Sequence, residues 1–115
     1  MPAVRLKPDT TDPQFSGPVL SFICTMHYMI VEHFRHGDPL PVYRRFRDHG
    51  RLAPDGLRYV TSWVTDDLRT CFQVMDCDDP QLLADWLSRW EDLVEFEVVP
   101  VISSAEAVAR LSPRL

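Results

Sequence analysis

The sequence predicts a two-layer α+β domain in which two helices cover one face of a four-stranded antiparallel sheet. Three observations predict this class. Four segments after residue 25 have the alternation and the β-branched and aromatic content of strands. Two further segments carry apolar residues at helical spacing, and an Asp-Pro pair, at residues 38–39 and 79–80, opens each of them. The resulting order is strand, helix, strand, strand, helix, strand.

The first strand and the first helix are separated by a short loop. The segment from His27 to Phe34 is rich in β-branched and aromatic side chains, as strands are. Asp38 is placed to accept a hydrogen bond from the free amides of a first helical turn, and Pro39 has the backbone angle favoured there. Gly50 is placed to end the helix in a left-handed conformation. Apolar residues recur along this short helix at Leu40, Tyr43 and Phe46.

The second half of the chain predicts a hairpin, a helix and a final strand. Leu57 to Thr65 and Arg69 to Asp76 are paired strands on either side of an Asp-Asp turn. The helix that follows has a broad apolar stripe made of Leu82, Leu83, Trp86, Leu87 and Trp90. Glu95 to Ile102 is the last strand, and Ser103 or Ser104 is placed to cap a short C-terminal helix. With right-handed crossovers, this order closes most simply into a ferredoxin-like βαββαβ sheet with both helices on one face.

Length and composition indicate one folded domain preceded by an arm. A chain of 115 residues is too short for two independent domains, and 45% hydrophobic with 25% charged residues is typical of a soluble globular protein. Residues 1–25 differ, because prolines lie there amid Asp, Thr and Ser without alternation or repeat. We expect residues 1–25 to be an extended, largely disordered arm, either an appended leader or the result of an upstream start. The domain is expected over residues 26–115.

Charge and hydropathy argue against two classes of partner. The formal net charge of −5 and a pI near 5.2 give no general positive field to hold phosphates. The local exception, Arg44 to Arg47 with Arg51 nearby, is interpreted as a solvated helix face rather than a polyanion site. No apolar run approaches the roughly 20 residues that span a bilayer. We therefore expect neither nucleic acid nor membrane as a partner.

The cysteines indicate a reducing compartment. Cys24, Cys71 and Cys77 form neither an even disulfide set nor a CxxC pair, which favours reduced thiols and a cytoplasmic location. Cys71 is expected to be a small buried hydrophobe rather than a nucleophile, because free cysteine in a strand is commonly buried and inert.

Neither a metal nor a nucleotide cofactor is indicated. His33 and His36 straddle the end of a strand, and their spacing matches neither the helical HExxH frame nor a zinc ribbon. The glycines are scattered at positions 17, 37, 50 and 56 and form no phosphate-binding loop. We expect no bound metal and no cofactor.

Two helices cover one side of a four-stranded sheet, which leaves the other side to a partner subunit. Because side chains alternate along a strand, they can be sorted into two sets. The set assigned to the helix side is Met29, Val31, Val60, Val64, Phe72 and Val74. The remaining set contains Tyr28, Ile30, Glu32, Phe34, Tyr59, Thr61, Trp63, Cys71, Gln73, Met75 and, by assignment, Glu97. This second set is expected to face a second copy of the chain in a homodimer.

The polar members of that second set define a candidate site. In this topology Glu32, Gln73 and Glu97 lie near one another across strands. An apolar cavity with a few convergent polar groups is typical of a small-molecule site, and its expected ligand-binding residues are Tyr28, Glu32, Tyr59, Trp63, Gln73 and Glu97. The same polar groups would also satisfy each other, or water, and fix the register of a dimer interface. The residues leave both interpretations open.

Three functions follow from this site. The first is a cytoplasmic homodimer that binds a small apolar or aromatic molecule between its two sheets, or none. The second is a cofactor-independent enzyme with Glu32 or His33 as general base, because a carboxylate in an apolar pocket has a raised pKa. Gln73, Tyr59 or Trp63 would then orient the substrate. The third is a structural interaction module.

Three segments carry a family likeness: YMIVEHF, GDPLPVYRRFRDHGRLAPDGLRYVTSWV and CFQVMDCDDPQLLADWLSRWEDLVEFEVVPVISS. From about Met26 to the end, the chain resembles the family catalogued as domain of unknown function 3303, which is similar in fold to the dimeric α/β-barrel proteins. The resemblance implies this fold and a dimer. It implies no activity and no catalytic residue.

Overall fold

The computed structural model describes residues 25–115, and the arm predicted over residues 1–25 lies outside this part of the chain except for its last residue. The strands are β1 (Met26–Phe34), β2 (Arg58–Val64), β3 (Thr70–Cys77) and β4 (Val94–Val101). They form one sheet in the order β2-β3-β1-β4 with every neighbouring pair antiparallel. The predicted α+β fold of ferredoxin-like topology is confirmed.

The helices begin where the capping residues predict. They are α1 (Leu40–His49), α2 (Pro80–Ser88) and α3 (Ser104–Leu111), with a short 3₁₀ turn at Arg35–Gly37 before α1 and another at Ser112–Arg114 after α3. The Asp38 carboxylate accepts from the Leu40 N–H at 3.0 Å, and the Asp79 carboxylate accepts from the Gln81 N–H at 2.9 Å. Gly50 follows α1 with φ of 74°, a conformation that costs a glycine little.

The hydrophobic core lies between the sheet and α2. The strands contribute Tyr28, Ile30, Phe34, Cys71, Met75, Val94, Phe96 and Val98 to it, and α2 with the turn after it contributes Leu83, Trp86, Leu87 and Trp90. By contrast α1, which is described over its whole length, has Val42 as its one buried residue, while Leu40, Tyr43 and Phe46 remain substantially exposed. The first helix therefore packs less closely on the sheet than the second.

On β1 and β3, the two faces of the sheet are the reverse of those predicted. The set with Tyr28, Ile30 and Glu32 faces the helices and is buried, whereas Met29 and Val31 lie on the opposite side. Alternation determines which residues share a face, but either set was apolar enough to lie under a helix layer. We call the side away from α1 and α2 the open face; its apolar members are Met29, Val31, Trp63, Phe72, Val74 and Val99.

A register shift in β2 moves Trp63 to the open face. Tyr59 pairs with Met75, but Thr61 pairs with Val74, so that one residue, Val60, is extra. Beyond this bulge, Trp63 lies opposite Phe72 on the open face. The prediction that Tyr59, Thr61 and Trp63 share one face is wrong, because it assumed an unbroken alternation along the strand.

Candidate functional site

A cavity of about 210 Å³ lies between the inner face of the sheet, α1 and the chain that follows α1. Its apolar wall includes Phe34, Val42, Phe46, Trp86, Trp90 and Phe96. Its polar groups come from Glu32, Tyr43, Arg51, Ser62 and Gln73. The space exists because α1 presents aromatic side chains to the sheet without burying them fully.

Glu32 is the buried acid of this cavity. It lies in the middle of the sheet between Cys71 on β3 and Phe96 on β4, and only 8% of it is exposed. Burial raises the pKa of its carboxyl from 4.5 to about 7, although the hydrogen bond from Gln73 and the charge of Arg51 act in the opposite direction. At neutral pH the acid and the carboxylate forms are therefore both populated.

Gln73 joins this carboxyl group to a guanidinium group. Its Nε2 donates to Glu32 Oε2 at 2.5 Å, and its Oε1 accepts from Arg51 Nη1 at 3.1 Å. An amide has a donor and an acceptor on one rigid plane, so it satisfies both neighbours at once. This explains a glutamine in an otherwise apolar strand.

Arg51 follows α1 and is held at both its side chain and its backbone. Its guanidinium carbon lies 4.0 Å from the ring centroid of Tyr59 and 5.2 Å from that of Phe46. Its backbone carbonyl accepts from Trp86 Nε1 at 2.9 Å and from Trp90 Nε1 at 3.0 Å. Two indole groups one helical turn apart thus fix the residue that supplies the cationic group of the cavity.

The thiol of Cys71 and the phenol of Tyr43 are neutral neighbours of Glu32. Burial, followed by the charge of Glu32, raises the pKa of the Cys71 thiol to about 12. Burial, followed by the charges of Cys71 and Glu32, also raises the pKa of Tyr43 above its ordinary value. Cys71 is a buried and protonated thiol, which is the inert form rather than the nucleophilic one.

Residues 26–115 match the model of the family described as Domain of unknown function (DUF3303). The chain belongs to this family. Comparison with curated proteins finds no match, and comparison with solved structures finds none.

Two of the predicted site residues are in direct contact in the DUF3303 domain, and a third contacts them through Arg51. Glu32 and Gln73 are hydrogen-bonded, and Tyr59 reaches the same cluster because its ring stacks on Arg51. Tyr28 is buried on the same face, but it lies four residues from Glu32 along β1, a separation of about 13 Å. It is not part of the cavity lining.

Three predicted site residues lie on the open face instead. Trp63 is 74% exposed there, opposite Phe72. Glu97 pairs in register with Val31 rather than with Glu32, and its Oε1 lies 3.5 Å from His33 Nε2 on the same face. The predicted cluster of Glu32, Gln73 and Glu97 is therefore wrong in its third member, because the register of β4 is one residue away from the one assumed.

Arg51 is the site residue that the sequence did not single out. It was grouped with the arginines of α1, of which Arg45 does lie on the surface and pairs with Asp92 at 2.7 Å. The sequence did contain one indication of the position of Arg51. Gly50 ends α1 in a left-handed conformation, which changes the direction of the chain just before Arg51. Trp86 and Trp90 pack in the core as expected, and their second role as donors to Arg51 depends on the fold.

Among residues 25–115, no three side chains of His, Cys, Asp or Glu are grouped so that they could hold a metal ion. Over the same residues, none of the helices has the length and apolar character needed to cross a bilayer.

Proposed function

We propose that this DUF3303 domain binds a small apolar or aromatic molecule in the cavity beneath α1. The observation that carries the proposal is the buried Glu32 carboxyl at the wall of an aromatic cavity, held there by Gln73 and Arg51. Burying an ionisable group is costly for folding, so such groups are concentrated at functional sites. The proposed ligand therefore lies between the sheet and its own helices, and not between two sheets as the sequence predicted.

The size of the cavity limits the ligand. An apolar cavity of about 150 Å³ accommodates benzene. The 210 Å³ beneath α1 therefore suits one aromatic ring with a small substituent. Tyr43 and Phe46, both partly exposed on α1, would lie at the entrance.

Filling the cavity from its rim is expected to weaken binding. Val64 lines the cavity and is 36% exposed, so Val64→Phe places a ring in the ligand space with limited overpacking of the core. In a screen of single-ring compounds by ligand-observed NMR, we expect hits of the wild type to bind Val64→Phe at least about tenfold more weakly, which is the loss of roughly 1.4 kcal/mol. The matched control is Val60→Phe, on the same strand but outside the lining. Equal binding by the two variants would contradict the proposal.

A cofactor-independent enzyme is the second candidate, because the pKa of Glu32 near 7 is suited to a general base at neutral pH. The same screen, followed for consumption of each hit, tests it. Turnover that disappears in Glu32→Gln while binding persists supports catalysis; the matched control is Glu97→Gln on the opposite face. Hits that bind without being consumed favour the binding role. His33 lies on the open face and has no access to this cavity.

We also propose that two copies associate through their open faces, as in the dimeric α/β barrels that the family resembles. The open face is apolar, and Trp63 on its edge strand β2 is largely exposed. A contiguous apolar surface of this kind is typical of a protein interface. Two polar contacts on this face are made within the chain: Arg58 Nε lies 2.6 Å from Asp76 Oδ1, and His33 Nε2 lies 3.5 Å from Glu97 Oε1. A second copy would thus cover the apolar part while Arg58 and Asp76 keep their partners within the chain.

A charge placed on the open face is expected to separate the dimer. Trp63→Glu introduces one carboxylate into each half of a symmetric contact, so the free energy of association is reduced at two places. With hot-spot residues worth about 2 kcal/mol each, we expect the dissociation constant to rise by about a thousandfold in sedimentation equilibrium. Leu40→Glu, an exposed leucine of α1, is the matched control. A monomeric wild type would contradict the proposal, and a dimer that binds no compound would favour the structural interaction module.

The thiols support a cytoplasmic location as part of this proposal. Cys71 and Cys77 are free and buried in the described part of the chain. Free thiols are typical of reducing compartments.

A further inference from the structure

Building on the proposed cavity, we infer that its ligand is a small organic acid whose carboxylate binds the edge of the Arg51 guanidinium while its apolar body lies among the rings. The inference rests on the proposed function and names the class of molecule bound. Three features of the cavity carry it: a cation that no carboxylate of the described residues contacts, hydrogen-bond donors on that cation, and an acid beside it that can be neutral.

Arg51 lines the cavity, and its partners differ from those of three arginines on the surface. Arg45, Arg47 and Arg58 each lie within 3 Å of a carboxylate oxygen. Within residues 25–115, no carboxylate lies within 4 Å of Arg51, whose partners are the amide of Gln73 and two aromatic rings. The cavity therefore contains a positive charge that no carboxylate of residues 25–115 neutralises by contact.

The geometry of Arg51 leaves donors for a ligand. A guanidinium has five N–H groups, and the bond to Gln73 uses Nη1. The guanidinium carbon lies over the rings of Phe46 and Tyr59. The N–H groups of a guanidinium point outward in its own plane, where an acceptor can bind. A carboxylate matches that edge with two parallel hydrogen bonds.

The protonation state of Glu32 depends on whether such a ligand is bound. Two carboxylates near one another cannot both remain ionised at low cost, so an anionic ligand shifts Glu32 to its neutral acid form. The groups that face Glu32 are Tyr43 from α1, Arg51 from the chain after α1, Cys71 and Gln73 from β3, and the uncharged rings of Phe96, Trp86 and Trp90. The Cys71 thiol and the Tyr43 phenol stay neutral between pH 6 and 8.5. Above about pH 7, where Glu32 is mostly ionised before binding, binding of one carboxylate is thus coupled to uptake of one proton by Glu32.

This coupling separates the binding role from the catalytic one. A Glu32 that is protonated in the complex donates a hydrogen bond and cannot abstract a proton. An organic acid as ligand therefore favours binding over general-base catalysis at this site.

The test uses benzoate and benzamide, which have similar size and shape but differ in charge. Isothermal titration calorimetry of the whole chain at pH 6.5 is expected to give at least about tenfold tighter binding for benzoate, as for other hydrogen bonds between charged groups. Above pH 7 the benzoate affinity is expected to fall by about tenfold for each pH unit, because the required proton must be taken from solution. Benzamide affinity is expected to vary little with pH.

Substitutions at Arg51 and Glu32 show which residue causes the preference for benzoate and which causes the pH dependence. Arg51→Gln is expected to remove the preference for benzoate, while Arg51→Lys, which keeps the charge, retains part of it. Glu32→Gln is expected to keep the preference and to flatten the pH dependence. Arg44→Gln makes the same charge change at an exposed position of α1 outside the lining and is the matched control. Circular dichroism spectra establish that each variant is folded before it is titrated.

Each outcome has a defined meaning. If benzamide binds as tightly as benzoate, or if benzoate affinity is constant from pH 6.5 to 8.5, the inference is wrong and the proposed cavity site stands. If benzoate does not bind while the compound screen finds neutral ligands, the inference is again wrong. If no compound of either kind binds, both the inference and the proposed function fail.

Discussion

Replacement of Trp86 with alanine is expected to lower the free energy of unfolding by about 3–5 kcal/mol. The side chain is 3% exposed, and its ring centroid lies 6.1 Å from that of Phe96 across the layer between helix and sheet. Its removal leaves a large cavity in the core and takes one of the two donors from the Arg51 carbonyl. Urea unfolding followed by far-ultraviolet circular dichroism measures the loss without relying on tryptophan fluorescence.

The variant Trp86→Phe separates packing from hydrogen bonding. It keeps an aromatic ring but lacks the indole N–H, while Trp90 continues to donate to the Arg51 carbonyl at 3.0 Å. We expect it to lose about 1–2 kcal/mol, clearly less than Trp86→Ala. A loss of less than about 1 kcal/mol for the alanine variant would mean that α2 does not pack on the sheet as described.

Glu32→Gln is expected to stabilise the protein at pH 8 and to remove a pH dependence present in the wild type. The carboxyl has a higher pKa in the folded chain than in the unfolded chain, so the folded state binds its proton more tightly. This contribution is fully present below about pH 4.5 and is lost as the pH rises through about 7. The rise in pKa from 4.5 to about 7 corresponds to about 3 kcal/mol. The glutamine keeps an acceptor for Gln73 without a buried charge.

The measurement is the free energy of unfolding in urea at a series of pH values between 4.5 and 8.5. The wild type is expected to lose stability with rising pH over this window, and Glu32→Gln is expected to lose little. Glu97→Gln, at a half-exposed carboxylate of the open face, should retain the wild-type slope. A wild type whose stability does not change between pH 5 and 8 would contradict the burial of an ionisable Glu32.

The order of the elements could be predicted because each depends on neighbours in sequence. Asp38 and Asp79 accept from amides two residues ahead, and Gly50 takes a left-handed conformation, as expected from local geometry. Strand alternation likewise placed Glu32 and Gln73 on one face of adjacent strands, where they are hydrogen-bonded. Each of these relations depends either on one turn of a helix or on the alternation of side chains along two neighbouring strands.

The remainder of the candidate site depends on contacts between distant segments. The bulge at Val60 moved Trp63 away from the site, and the register of β4 moved Glu97 away from it. A shift of one residue reverses every side chain beyond it, and no local pattern in these strands determines where such a shift occurs. Arg51 reached the cavity only because Trp86 and Trp90, more than thirty residues later, hold its carbonyl.

The sequence by itself determined the α+β class, the strand and helix order, the helix caps and the pairing of Glu32 with Gln73 on a common face. The tertiary structure decided which face the helices cover, where the cavity lies and that Arg51 belongs to it. The physical reason is that both faces of the sheet are apolar enough to be buried. The packing of large side chains between α2 and the sheet selects one of them, and this selection is a property of the assembled core rather than of any segment.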